Sequence, residues 1–124
     1  MTLTVAQIDV ETDRLVGEWL PLSEVAERLR LSIGRAKQLL KDKKLVGARR
    51  GGGEPHIPAV FIADGDVLKG LPGTLTVLSD AGYGDVEAIR WLFTPDPSLP
   101  GSPIDAVLAG RHTEVKRRAQ ALGF

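Results

Sequence analysis

Arg35 and Gln38 stand three residues apart within Ser32–Lys41, a spacing that puts both on one face of a helix. A guanidinium fits the O6 and N7 acceptors of guanine, and a carboxamide fits N6 and N7 of adenine, so this pair could read base edges. The surrounding charge suits the same task. Arg28, Arg30, Arg35, Lys37, Lys41, Lys43, Lys44, Arg49 and Arg50 fall within one short stretch, and only Asp42 opposes them there. Arg49-Arg50 run directly into Gly51-Gly52-Gly53, which places two cations at the tip of a turn that can adopt positive φ. Such a cluster is the electrostatic footprint of a polyanion-binding surface.

The elements that must carry these residues follow from apolar spacing. Leu22, Val25, Ala26 and Leu29 give a first helix, Ser23–Arg30, one buried face. Arg30-Leu31 is short enough for the turn of a helix-turn-helix, and Ser32 is placed to cap the next helix. In Ser32–Lys41 the inward set is Ile33, Ala36, Leu39 and Leu40. Gly34, Arg35, Gln38 and Lys41 point outward, with Lys37 on the flank. Gly34 costs the helix roughly 1 kcal/mol relative to Ala, which makes sense if another backbone must come close. Leu45–Arg50 reads as a strand returning through His56-Ile57-Pro58, with Pro58 at a strand end or unpaired edge. The expected DNA contacts are therefore Ser32, Gly34, Arg35, Lys37 and Gln38 on the helix. Lys41, Lys43, Lys44, Arg49 and Arg50 would lie mainly on phosphate, the wing tip near the minor groove.

Charge divides the 124-residue chain into blocks although its formal net charge is zero. Residues 1–20 are acidic, 21–50 strongly basic, 51–110 acidic and 111–124 basic again. Residues 1–17 are polar and lack a sustained period, which predicts a flexible acidic tail able to compete with phosphate for the basic patch. Thr2, Thr4 and Thr12 are its candidate phosphorylation sites. The winged helix-turn-helix lobe is expected over residues 18–63, and a small helical lobe over 64–124. In that second lobe Pro72 opens one helix, and Asp85 caps another through Phe93. Its stripe is Val86, Ile89, Leu92 and Phe93, and Trp91 on the other side implies cover on both faces. Thr94–Gly101, with Pro95, Pro97 and Pro100, reads as an extended connection. Ser102-Pro103 start the next helix. Thr113–Leu122 is the last; Lys116-Arg117-Arg118 on it could extend the DNA surface, but three bases in a terminal helix also complement the helix dipole, which is the preferred reading.

Several function classes fall away. Without cysteine there is no disulfide, thiolate metal site or thiol nucleophile. His56 and His112 lack metal-ligand spacing, so neither metal nor cofactor is expected. No apolar run could span a membrane and no secretory leader is recognisable, which favours a cytoplasmic, nucleoid-associated protein. Gly51-Gly52-Gly53 lack the lysine and helix of a phosphate loop, and the acids of residues 64–105 are dispersed, so catalysis is not expected.

The order of helix, turn, helix and basic wing resembles the MerR-type winged helix-turn-helix superfamily. The likeness narrows across Val46–Arg50, Val67–Leu78, Arg90–Gly101 and Glu114–Leu122, and covers roughly residues 19–122. Together these segments resemble a small actinobacterial family of DNA-binding proteins with an N-terminal winged helix and a helical C-terminal region. Its mycobacterial member is a Ser/Thr protein kinase substrate. The resemblance implies an α+β, mainly helical fold and double-stranded DNA as partner, with a kinase as a second one. Trp91-Leu92, Pro95-Asp96-Pro97, Leu99, Pro103-Ile104-Asp105 and Leu108 are also similar to the toxin-binding region of Xre/MbcA/ParS antitoxins. That likeness implies a protein partner on the C-terminal lobe. The leading expectation is a sequence-specific transcriptional regulator. The alternatives are a protein-interaction module with an antitoxin-like partner region, and a DNA-architectural recombination accessory factor.

Overall fold

The computed structural model describes residues 5–122. It is mainly helical, with two small antiparallel sheets. In order, the elements are α1 (Val10–Val16), β1 (Trp19–Pro21), α2 (Leu22–Leu29), α3 (Ile33–Lys41), β2 (His56–Pro58), β3 (Ile62–Ala63), β4 (Asp66–Val67), α4 (Leu71–Asp80), α5 (Asp85–Phe93), α6 (Pro103–Leu108) and α7 (His112–Gln120).

The helix-turn-helix forms where apolar spacing placed it. Leu22, Val25 and Ala26 are the buried face of α2, and Arg30 ends that helix in the left-handed conformation at φ 57°. The N–H of Leu31 returns to the carbonyl of Ala26 at 2.9 Å, which fixes the turn. Ser32 caps α3, its hydroxyl accepting from the Arg35 N–H at 3.2 Å. Cover at the start of α2 arrives from far along the chain. Glu54 accepts from the Ser23 N–H at 3.1 Å and from its hydroxyl at 2.8 Å. One expected inward residue departs from the pattern. Ile33 is 45% exposed, because it sits on the first turn of α3 beyond the edge of the core, whereas Ala36 and Leu40 are buried.

The wing is held by few bonds. Ala48 and His56 exchange both backbone hydrogen bonds, at 2.9 and 2.8 Å. Beyond His56 the returning strand pairs with β1 instead, in the register Trp19↔Pro58, Leu20↔Ile57 and Pro21↔His56. Trp19-Leu20-Pro21 thus forms a strand that apolar spacing did not reveal. At Gly47 the returning arm of the wing lies close against the backbone. A Cβ there would lie 2.7 Å from the His56 carbonyl oxygen, so no larger residue fits without displacing the backbone.

Residues 5–17 depart from the expected flexible tail. Residues 6–8 run parallel to the wing: Arg49 N–H bonds to Ala6 O at 2.8 Å and Ile8 N–H to Arg49 O at 2.9 Å. Residues 10–16 form α1, capped by Asp9, whose carboxylate accepts from the Thr12 N–H at 3.1 Å. Seven residues are too few for a helix stable on its own. It forms because it packs along α5, much later in the chain, and a local sequence pattern cannot show that support. Thr12 is fully buried, so this candidate phosphorylation site is closed while α1 is docked; Thr2 and Thr4 lie outside the described residues.

In the C-terminal lobe, α4 and α7 pack together, as do α6 and α7 and α5 and α6. Gly70 makes the approach of α7 possible. Its φ is 88°, and a Cβ would fall 2.3 Å from the Cβ of His112. The proline-rich Thr94–Gly101 segment folds back on itself rather than running extended. The Asp96 N–H donates to Gly101 O at 2.9 Å, and Asp96 Oδ1 accepts from the N–H and hydroxyl of Ser98. That turn buries Leu99 to 7% exposure. Core side chains from both lobes, Leu22 and Ile57 through Leu78, Ile89 and Val115, form one continuous cluster. Phe61 and Phe93 meet across it with ring centroids 5.9 Å apart.

Candidate nucleic-acid interface

All ten residues singled out for DNA contact are exposed: Ser32, Gly34, Arg35, Lys37, Gln38, Lys41, Lys43, Lys44, Arg49 and Arg50. Neither Arg35 nor Gln38 is covered by the C-terminal lobe. Burying Ala36 and Leu40 turns the opposite side of α3 outward, and Arg35, Lys37, Gln38 and Lys41 occupy it. Gly34 faces open space, with only Ser32 Oγ within 4 Å of a built Cβ, at 3.9 Å. After α3, Lys43 adopts φ 59°, and the following Leu45 through Ala48 are buried as the chain enters the wing. Gly51 and Gly53 take φ of 89° and 93° at the tip, as their residue type predicts.

Internal partners divide these cations into two groups. Among the described residues, Arg35, Lys37, Lys41, Lys44 and Arg49 have no carboxylate within salt-bridge distance. Lys43 and Arg50 do. Lys43 Nζ lies 2.7 Å from Asp85 Oδ1 at the start of α5. Arg50 makes a two-pronged contact with Asp13 of α1, Nε to Oδ2 at 2.8 Å and Nη2 to Oδ1 at 3.0 Å. Its guanidinium carbon also sits 5.3 Å from the centre of the Trp19 ring. The Arg50 hydrogen bonds hold the Asp13 carboxyl below the usual carboxylate range. Gln38 is half committed, since its Nε2 donates to Asp42 Oδ1 at 2.9 Å, one turn away on the same helix.

Asp13, Asp85 and Trp19 are the residues that reading the sequence missed. Block charges showed acids on both sides of the basic stretch. Which acid meets which base, across 37 and 42 positions, depends on the fold. His56 lies half-buried in β2, its Nδ1 3.1 Å from Glu54 O. No group of three or more His, Cys, Asp or Glu able to hold a metal occurs among the described residues. No helix among them is long and apolar enough to cross a membrane.

Known proteins share both lobes. Residues 7–62 match the family described as DNA-binding protein Rv2175c, wHTH domain, and residues 68–123 match the Rv2175c C-terminal domain of unknown function. DNA-binding protein Rv2175c of Mycobacterium tuberculosis (strain ATCC 25618 / H37Rv) is 47% identical over 116 residues, spanning 83% of this chain and 79% of the relative. The NMR structure of Rv2175c superposes with a TM-score of 0.78 at 42% identity, covering 86% of this chain and 82% of that one. With both lobes matched in order, this chain belongs to the Rv2175c family of winged helix-turn-helix proteins.

Proposed function

We propose that this chain is a sequence-specific DNA-binding protein and a transcriptional regulator. In this reading α3 enters the major groove, Arg35 and Gln38 meet base edges, and Lys41, Lys44, Arg49 and Arg50 neutralise phosphate along the backbone and at the minor-groove edge. One observation carries it. Five cations on α3, its following turn and the wing face solvent without an internal acid, in a fold whose family is described by DNA binding. A surface kept free of its own counter-charges gains most by releasing the counterions of a polyphosphate.

Titration of the full chain into a labelled mixed-sequence duplex at several salt concentrations tests this. Changing Arg49 and Arg50 together to Ala should weaken every duplex alike and reduce the salt slope by about 2. Gln38→Ala should leave that slope unchanged and alter the sequences recovered from a randomised library. Duplex binding indifferent to all three changes would remove the assigned surface.

A protein partner on the C-terminal lobe is a second reading, favoured by an exposed apolar groove. Leu15, Val60 and Leu108 line it at 42%, 37% and 47% exposure, beside Phe93 and Pro95. A kinase acting on Thr12 would require α1 to detach first.

A further inference from the structure

Both ends of α5 reach back towards the cationic surface. At its first residue, Asp85 accepts from Lys43 Nζ at 2.7 Å. Towards its other end, Arg90 grips α1. Nη2 lies 3.0 Å from Asp9 Oδ2, and Nε donates to the hydroxyl of Thr12 at 3.0 Å. The residue after Thr12 is Asp13, which takes the fork of Arg50 with both carboxylate oxygens. A guanidinium presents that same paired geometry to a phosphate. The two carboxylates therefore occupy the hydrogen-bonding positions that two phosphates would use.

We propose that the C-terminal domain serves as an internal competitor of DNA: α5 holds Asp85 on Lys43 directly, and holds Asp13 on Arg50 through α1. The proposal rests on the DNA-binding reading above. In the free protein two of the seven cations on the α3 turn and wing surface, Lys43 and Arg50, are engaged; Arg35, Lys37, Lys41, Lys44 and Arg49 remain available for first encounter. Tight binding then requires both pairs to open. Sequences or geometries that bring phosphate to Lys43 and Arg50 are favoured over those that do not, so the competitor raises the threshold for non-specific binding. Coupling of this kind is reciprocal, so a bound duplex loosens α1 from α5.

The test compares the full chain with Asp85→Asn and with the double variant Asp13→Asn, Asp85→Asn, titrated into a labelled mixed-sequence duplex at low salt. Exposed ion pairs set the scale, so each change should tighten binding about two- to fivefold and the pair about tenfold. Glu87→Gln is the charge-matched control. It lies on the same helix, its carboxylate bonded to the Gly84 N–H rather than to any of these cations, and should change affinity less than about twofold. Arg50→Ala should also cost more affinity when combined with Asp13→Asn than when Asp13 is intact. An unchanged affinity in both the single and the double variant, or an equal gain from Glu87→Gln, overturns the competitor while leaving DNA binding intact. A wild-type chain and variants that all fail to bind duplex overturn the DNA-binding reading itself.

Discussion

Helices α3 and α7 are alike in length and charge yet differ in what their charge does. Each has nine residues, and each buries two side chains four apart, Ala36 and Leu40 in one, Val115 and Ala119 in the other. Both present a basic outer face. On α7, Arg118 is bound to Glu114 at 3.2 Å and to Ser98 of the folded-back loop, and Arg111, just before the helix, approaches Glu114 at 3.9 Å. On α3, Arg35, Lys37 and Lys41 meet no acid among the described residues. Counting cations would rank the two helices as equals. Lys116 and Arg117 likewise meet no acid among the described residues, so what separates the helices is that α7 ties Arg118 into the fold while α3 ties down none of its three cations.

The largest expected effect tests how firmly α7 is fixed. Gly70→Ala combines a left-handed φ with space already filled by the His112 side chain, so it should destabilise the fold by about 3 kcal/mol in chemical denaturation. Gly34→Ala on α3 is the counterpart. With an open site and no left-handed φ, it should stabilise by up to roughly 1 kcal/mol. Equal losses from the two would mean that α3 is packed as closely as α7.

Next in size is the functional contrast. Arg35→Ala with Lys41→Ala should lower duplex affinity on the order of tenfold at moderate salt, whereas Lys116→Ala with Arg117→Ala should stay within about twofold. Similar losses would extend the interface onto the C-terminal lobe.

The smallest effect concerns acid. Hydrogen bonds from Thr12, and then the Arg90 guanidinium, pull the Asp9 pKa down to about 2. A folded value below the unfolded one means the carboxylate favours docked α1 above about pH 4, and that this contribution is lost as pH falls towards 2. Asp9→Asn should therefore weaken α1 docking at neutral pH and flatten its acid dependence in that window. Amide exchange of α1 measured against α7 would show it. An unaltered acid profile would relieve Asp9 of this role.

The sequence made the helix-turn-helix legible because its information is local. Val25, Ala26, Ala36 and Leu40 recur at helical spacing, Ser32 caps the helix it precedes, and Gly51-Gly52-Gly53 mark a tip. The outward residues of α3 followed from the inward ones. What stayed hidden depends on distant contacts. Residues 10–16 show no apolar period because α1 is short and is held by Arg90 and α5. Trp19–Pro21 becomes a strand only beside His56–Pro58. Trp91, placed by its spacing on the far side of the α5 stripe, is half-buried against the core, while α1 engages α5 through Arg90. The basic residues expected at the surface are exposed, but nothing local could show that Lys43 and Arg50 are already taken.

The shared core, with Phe61 set against Phe93, has a consequence for how the chain can be divided. Two family descriptions split it between residues 62 and 68, yet a cut there would strip cover from apolar side chains on both sides. Cooperative melting as a single unit is the expected behaviour. Neither half is then a portable module, and natural or laboratory recombination would have to move winged lobe and helical lobe together.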